Sequence, residues 1–313
     1  MTRALAGLIR DRARRDPQGV ALREKSLGIW QETTWARYGD LVERAAHGLL
    51  TLGVRPEDRV AVQSDNRPEW LVAEASADAV RAVAAGIDPD GESEDALRDS
   101  AARVLVAEDQ EQVDEALAAK DALPGLEWIV YVEPRGVRDY HEPSLLWWPD
   151  LLERGDEHRR EHPRMLDELA AQESDLDPAA NDGRGPLHPD PGPSDFVLCH
   201  VPLWQPAGRL SGSRLSAEAG VQLHFGEPSA GLRQSLREVQ PSLLAAAPPL
   251  WELLRATAGD KMASPSWLKR RIGRDRLGLG RCRSAVSLSP LEPELVGWFR
   301  GLGVPLRAVG EVA

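Results

Sequence analysis

Apolar positions along this chain follow two periods in turn. Over residues 3–15, Leu5, Leu8 and Ile9 share one face and arginines fill the other, which predicts an amphipathic helix. "VALRE" and "IWQETTW" then alternate apolar and polar residues, as two strands of a hairpin would. Thr34 is placed to cap a helix over 35–52, and Gly53 to end it. Beyond that point short apolar runs and helical stretches take turns. "RVAVQS", "VAAGI", "RVLVAE" and "WIVYVE" read as strands, separated by helices over 68–80, over 93–101 (opened by Ser93) and over 109–120. Continuous apolar runs of this kind between helices predict a parallel sheet covered on both faces.

Residues 145–172 read as helical and charged, interrupted by Pro149 and Pro163. Between Leu176 and Phe196 the chain turns to Pro, Gly and Asp with almost nothing apolar to bury, so 174–195 is structureless by composition. The alternation then resumes. "FVLCHV", "VQLHF" and "SLLAAA" are strands, with helices over 214–220, 231–239 and 249–258. After a basic patch from Lys269 to Arg276 come "RSAVSL" as a strand, 292–301 as a helix and "VPLRAV" as a last strand. The expected organisation is a first α/β subdomain over 1–173, a Pro/Gly/Asp-rich linker over 174–195 and a second α/β subdomain over 196–313.

Composition changes this picture little. At 313 residues, 42% hydrophobic and 28% charged, the chain has the make-up of a soluble globular protein with a real core. Its net charge of -12 argues against a nucleic-acid partner or an anionic-membrane surface, because phosphates are repelled on approach. Cys199 and Cys282 form no disulfide framework, so reduced thiols in a cytoplasmic protein are expected. The start, "MTRALAGLIRDRARRDPQ", lacks the apolar core of a signal peptide. No run approaches the roughly 18 apolar residues of a membrane span, so no transmembrane segment is expected.

Candidate chemistry is thin. His158-Arg159-Arg160-Glu161-His162 spells an H-x-x-E-H pattern that could hold a metal, with Glu161 as a base. It also sits at a charged helix end just before Pro163 with no identifiable third ligand, so we expect no metal site. "WLKRRIGRDR" could meet a phosphate or an acidic partner, and Trp147-Trp148 is expected to pack. No phosphate-cradling glycine loop and no Ser/His/Asp or Cys/His set is present in a recognisable context. The residues taken alone name no catalytic machinery.

Four stretches resemble one family. "VRPEDRVAVQSDNRPEWLVAEASADAVRAVAAGIDP", "ARVLVAEDQEQVDEALAAKDALPGLEWIVYVEPRG", "LREVQPSLLAAAPPLWELL" and "PELVGWFRGLGVPL" are similar, in order, to the N-terminal domain of long-chain acyl-CoA synthetases, members of the AMP-forming adenylating superfamily. That resemblance implies a partial adenylate-forming N-terminal domain, with mostly parallel sheets flanked by helices and without the barrel-like subdomain or the C-terminal domain. It also implies a fatty acid substrate and, as the family's cofactors, ATP, magnesium and CoA.

The resemblance equally exposes departures. Where the family carries a Ser/Thr/Gly-rich phosphate loop ending in Pro-Lys-Gly, Leu176-Asp177-Pro178 is followed by "AANDGRGPLHPDPGPSD", which has neither the hydroxyl run nor the lysine. The "PLxH" motif near the acyl carboxylate reads Pro202-Leu203-Trp204-Gln205. "VPR" reads Ala247-Pro248-Pro249, and the adenine-lining Gly-Ala-Ala-Pro turn reads Ser287-Leu288-Ser289-Pro290. In place of Tyr-Gly-x-Thr-Glu the chain has Val309-Gly310-Glu311-Val312, so Glu311 is not expected to hold magnesium. The ribose-binding Asp and the adenylation lysine are not found.

The implied reading is a pseudoenzyme, a non-catalytic or regulatory homologue with no catalytic, nucleotide-binding or metal residues and no bound cofactor. It would bind a partner as a homo-oligomer, or as a hetero-oligomer with a related synthetase, or hold an acyl ligand. The alternative is AMP-forming fatty acyl-CoA ligase activity, either of the chain itself or completed in trans by a full-length relative. Any remnant acyl or adenine pocket is expected around Trp204, Gln205, Pro248 and Ser287.

Overall fold

A computed structural model describes residues 4–91, 93–172, 188–227, 231–258 and 267–308. Contacts divide the chain into two compact units. One holds Met1–Gly19, Thr34–Asn181 and Leu203–Gln205, and the other holds Val20–Thr33, Asp182–Pro202 and Pro206–Ala313.

In chain order, α1 (Leu5–Arg15) is followed by the hairpin β1 (Val20–Ser26) and β2 (Ile29–Thr34), then by α2 (Trp35–Thr51). The first unit continues with β3 (Arg59–Gln63), α3 (Pro68–Ala79), β4 (Val83–Ile87), α4 (Ser93–Ser100), β5 (Val104–Ala107), α5 (Gln110–Ala119) and β6 (Trp128–Tyr131). It closes with β7 (Leu145–Trp147), α6 (Trp148–Glu161) and α7 (Met165–Ala170). Its sheet has five parallel strands in the order β4-β3-β5-β6-β7. The apolar runs that suggested buried strands do fill the middle of that sheet, and Val60, Val62, Leu105 and Val130 are buried in it.

Caps place the helices where the local signals put them. Thr34 Oγ1 accepts from the Arg37 backbone N–H at 3.3 Å, and Asp109 with Gln112 forms a capping box at the start of α5. Residues 145–172 are a correction, because the expected helical stretch opens with β7. Three residues are too few to show a strand period. Pro149 starts α6 rather than interrupting it, since the first helical turn needs no N–H there. Pro163 lies between α6 and α7.

Packing of α2 on α6 depends on two glycines. A Cβ on Gly155 would lie 1.8 Å from the Arg44 carbonyl oxygen and 2.9 Å from the Gly48 nitrogen, so the backbones touch there. Arg44 pairs with Asp156 at 2.8 Å, and Arg159 with Asp40 at 2.9 Å, along the same seam. Gly155→Val is therefore expected to cost about 3 kcal/mol by overpacking, read as a lower urea midpoint. Gly7→Ala in α1, where a Cβ meets nothing within 4 Å, should be neutral or slightly stabilising. Equal midpoints for the two variants would refute the close approach.

The second unit contains β1, β2, β8 (Phe196–Leu198), α8 (Pro206–Arg209), α9 (Leu215–Ala219), β9 (Gln222–Phe225), α10 (Leu232–Val239) and β10 (Leu243–Ala246). α11 (Pro248–Ala258), α12 (Trp267–Leu277), β11 (Ser284–Ser287), α13 (Pro293–Leu302) and β12 (Leu306–Ala308) follow. Its seven strands lie in the order β12-β11-β10-β8-β9-β1-β2. The hairpin differs from the expected division of the chain: although it lies within 1–173, β1 pairs in parallel with β9, Leu22 opposite Leu223. The basic patch is likewise a helix, α12, and the helix expected at 214–220 begins at Pro206 and passes through a π turn over Leu210–Arg214. Leu236, Leu244, Trp251, Leu254, Phe299 and Leu306 build the core of this unit. No helix among the described residues is long and apolar enough to cross a membrane.

Candidate functional site

In the second unit the carboxyl ends of β10 and β11 lie side by side. Ala246 pairs with Ser287, and the Leu288 N–H donates to the Ala246 carbonyl at 2.9 Å. Pro248 opens α11 two residues after Ala246, so the structure brings Pro248 and Ser287 to one edge of one sheet. That edge, outside the carboxyl ends of parallel strands, is where open α/β sheets bind ligands. The chemistry there is sparse. Ser287 is fully buried and its Oγ donates to the Ser289 carbonyl at 2.6 Å, which keeps the hydroxyl occupied within its own turn. Pro248 and Pro249 have no N–H to offer.

Trp204 and Gln205 belong to the first unit, so they are not gathered with Pro248 and Ser287 into one unit's site. Their segment lies against the carboxyl ends of β3 and β4. The Leu203 N–H donates to Asn66 Oδ1 at 2.8 Å, and a Cβ on Gly86 would lie 2.5 Å from Trp204 Cα. Both residues are half-buried. Asn66 and Gly86 are positioning residues that the sequence reading missed. The signal within reach was the Asn just before the Arg-Pro start of α3 and a lone Gly inside a strand.

Residues 174–187, including Asp182 and Arg184, and residues 309–312 with Glu311 lie outside the described residues. The described end of the expected linker, 188–195, has no helix or strand but is bonded to the amino ends of β10 and β11. Arg283 donates to the Asp195 carboxylate, to the Pro189 carbonyl at 3.1 Å and to the Asp190 carbonyl at 2.9 Å. Ser242 Oγ donates to Asp195 at 2.8 Å, and His188, fully buried, is hydrogen-bonded to Ser284 Oγ at 2.9 Å. Burial would raise the Asp195 carboxyl, but Arg283 and Ser242 outweigh it and hold the group below its ordinary value.

Other titratable groups are tuned for the interior. Burial, with Arg23 nearby, pushes the His224 imidazole down to about 4, and its ring packs on Trp30 and Phe196. Burial also lowers His200. Both are thus neutral at pH 7 and fit core roles better than acid–base ones. Cys199 and Cys282 are free and buried, and burial pushes the Cys282 thiol up to about 12, far from a reactive thiolate. The rings of His158 and His162 of the H-x-x-E-H pattern lie tilted to each other with centroids 4.6 Å apart, and His158 Nδ1 meets His47 Nδ1 at 2.8 Å. Among the described residues no group of three or more His, Cys, Asp or Glu is arranged to hold a metal ion.

A cavity of about 640 Å³ opens in the first unit, and Asp109, Glu111, Asp114, Glu115 and Glu133 line it with Gln110 and Arg135. Five carboxylates beside one guanidinium repel a polyphosphate rather than receive it.

Comparison with known proteins adds the family. Residues 9–171, more than half of the chain, match the family described as AMP-binding enzyme. The chain is 24% identical over 279 residues to a long-chain-fatty-acid–CoA ligase of Bos taurus, covering 79% of this chain and 38% of that one. To the ligase heimdall of Drosophila melanogaster it is 32% identical over 149 residues, 46% of this chain and 21% of that one. The chain thus spans well under half the length of these curated relatives. Among solved structures, the adenylation domain of a carboxylate reductase from Mycobacterium chelonae superposes with a TM-score of 0.71 at 15% identity, covering 98% of this chain and 57% of that one. Acetoacetyl-CoA synthetase from Streptomyces lividans gives 0.70 at 17% identity, covering 98% and 51%. Two mostly parallel sheets flanked by helices are therefore the fold of part of an adenylate-forming enzyme. By that fold and by the match over its first half, this chain belongs to the AMP-binding enzyme family.

Proposed function

We propose that this chain is a non-catalytic relative of the long-chain acyl-CoA ligases, acting by binding a partner protein or an acyl ligand rather than by forming an acyl-adenylate. One observation carries this reading. From Asp177 to Asp195, where the resemblance calls for a phosphate loop, Ser194 is the only hydroxyl and there is no lysine. The described end of that stretch supports it, since its polar groups are engaged by Arg283, Ser242 and Ser284.

Adenylation brings a carboxylate and an α-phosphate together, both anionic, and needs oriented donors to hold them in line. Loss of a single preorganised donor typically costs about 10²–10³ in rate. Here the loop's hydroxyls and lysine are absent together, Ala247-Pro248-Pro249 brings no arginine, and the Ser287 hydroxyl is turned into its own loop. The residues present do not fit a bound triphosphate, and no chemical step is assigned to them.

Exchange of radiolabelled pyrophosphate into ATP, with magnesium and a long-chain fatty acid, tests this. The purified chain is expected to show no exchange above the protein-free blank. Fatty-acid-dependent exchange by the chain alone would overturn the proposal. The similarity to long-chain-fatty-acid–CoA ligases over 79% of the chain favours a second reading, ligase activity completed in trans. On that reading, adding the chain to a full-length synthetase raises exchange above that of the synthetase alone.

A further inference from the structure

The seven-stranded sheet of the second unit ends on β2, and among the described residues no strand pairs with its outer edge. Natural sheets guard such an edge with lysine, proline, a bulge or a very short strand. β2 runs for six residues and carries neither lysine nor proline. Ile29, Trp30, Thr33 and Thr34 are all good strand formers, and the one charge, Glu32, is taken up by Arg23 on β1. The turn leading into β2 adds a second anomaly. Leu27 and Gly28 both hold positive φ, +48° and +78°, as the two central residues of a type I′ turn must. Gly28 adopts that backbone freely, whereas Leu27 is strained where Asn or Gly is preferred. Leu27 is also 90% exposed, and Ile29, two residues on, is 63% exposed. A leucine both strained and wet does nothing for its own hairpin. It is a side chain held out for contact.

Strand pleating allows β2 few ways to pair with itself, and one of them fits. The turn at Leu27-Gly28 makes Ser26 and Ile29 a hydrogen-bonded pair, and the Arg23–Glu32 ion pair joins cross-strand neighbours in that same register. The N–H and C=O of Trp30 and Glu32 therefore point away from β1. A symmetric antiparallel partner sets outward residues opposite outward residues, so a two-fold axis falls on Trp30, Gln31 or Glu32. An axis on Glu32 opposes two like charges, and one on Trp30 pairs only Ile29 to Gln31. An axis on Gln31 pairs Ile29 to Thr33 along its length. Trp30 then meets Glu32 of the second copy, exposed Ile29 lies against its Thr33, and no like charges face each other. We infer that the free edge of β2 is an interface for a second copy of this chain, paired antiparallel about Gln31 with Leu27 beside the start of the other copy's α2.

Two chains of net charge -12 repel each other at a distance. Association should therefore tighten as salt rises from about 10 mM to about 150 mM, because the screening length shortens from about 30 Å to about 8 Å. The inference names the partner that the proposed binding role leaves open, and rests on that reading for its purpose. Association is measured without ATP or fatty acid, so its failure is distinct from a positive pyrophosphate exchange.

Sedimentation equilibrium of the full chain, from about 5 to about 300 µM, tests it across the range that a small, transient interface calls for. A reversible monomer–dimer equilibrium is expected. Gln31→Lys sets two ammonium groups face to face and should weaken association about tenfold. Leu27→Asn should weaken it by a similar factor while raising the urea midpoint, because asparagine tolerates the left-handed backbone. Weaker association with a more stable monomer separates an interface role from a structural one. Gln31→Cys reports the axis. Opposed residues of a non-hydrogen-bonded antiparallel pair have Cα atoms about 4.5 Å apart, within disulfide range, so mild oxidation should give a covalent dimer. Glu32→Cys should give none, since two such residues lie beyond about 7 Å, and the natural cysteines are buried. A monomer at every concentration, association undiminished by both substitutions, or equal cross-linking at positions 31 and 32 would sink the inference. So would a chain that stays monomeric alone but pairs through this edge with a full-length synthetase, because a different chain would then be the occupant.

Discussion

Acidification from pH 6.5 to pH 4 is expected to remove several kcal/mol of folding stability before the bulk of the carboxylates titrate. Burial pushes His188 down to about 4, with Arg307 and Arg283 adding to it. His224 is held at about 4 by burial and Arg23. His47 reaches about 4 through burial, then through His158, Arg159 and His162. A histidine with a depressed folded pKa binds its proton more readily when unfolded. Its neutral form therefore costs nothing above about pH 6.5, and the folded state loses ground as pH falls until the folded pKa is passed. Each of the two deeply buried rings, His188 and His224, can withdraw up to about 3 kcal/mol over that window. Asp195 acts in a different window. Its lowered pKa stabilises the fold above about pH 4, and that contribution goes only as pH falls further. Urea midpoints at pH 7, 5.5 and 4.5 measure the slope, and His224→Gln should flatten it while leaving the pH 4 limb to the carboxylates. A midpoint that stays constant between pH 7 and pH 4.5 would show that these rings are not buried as described.

Trp251→Ala is expected to cost about 3–5 kcal/mol, the range for removing a large aromatic side chain from a packed interior. Trp251 is fully buried on the inner face of α11 and meets Phe299 edge-on, with ring centroids 5.2 Å apart. Its Nε1 donates to the Ala246 carbonyl at 3.1 Å, which ties α11 to the end of β10 and so sets where Pro248 lies. Removing the ring leaves a cavity between α11 and α13 and takes one of two donors from the Ala246 carbonyl, which keeps its bond from the Leu288 N–H. Trp251→Phe keeps most of the packing and should lose about 1–2 kcal/mol, chiefly the hydrogen bond and the smaller ring. Chemical denaturation separates the two. A Trp251→Ala midpoint within about 1 kcal/mol of the natural chain would contradict the packing of this core.

The candidate site was only partly legible. Pro248 and Ser287 do fall on neighbouring strand ends, but nothing in either segment announces that the Ser287 hydroxyl is spent on the Ser289 carbonyl. Asn66 and Gly86 hold the Trp204 backbone, and each lies more than 100 residues away from it in sequence, beyond the reach of any local motif. The H-x-x-E-H spacing reads as a charged helix end rather than a metal site, and nothing in it announces that His158 meets His47 across the seam of α2 and α6, a pairing that depends on how closely Gly48 and Gly155 let the two helices approach.

Local chemistry alone determined the strand cores "RVAVQ", "VLVA" and "LLAA", the Thr34 and Asp109 caps, and the altered stretch after Leu176, because period, capping and composition are written within a few residues of each other. Tertiary structure decided that β1 joins β9 across some 200 residues, that three residues suffice for β7, and that the tryptophan and isoleucine of α12 point outward. A strand's partner and a helix's inner face are set by which distant surfaces remain to be covered, and that competition is settled only when the whole chain has folded.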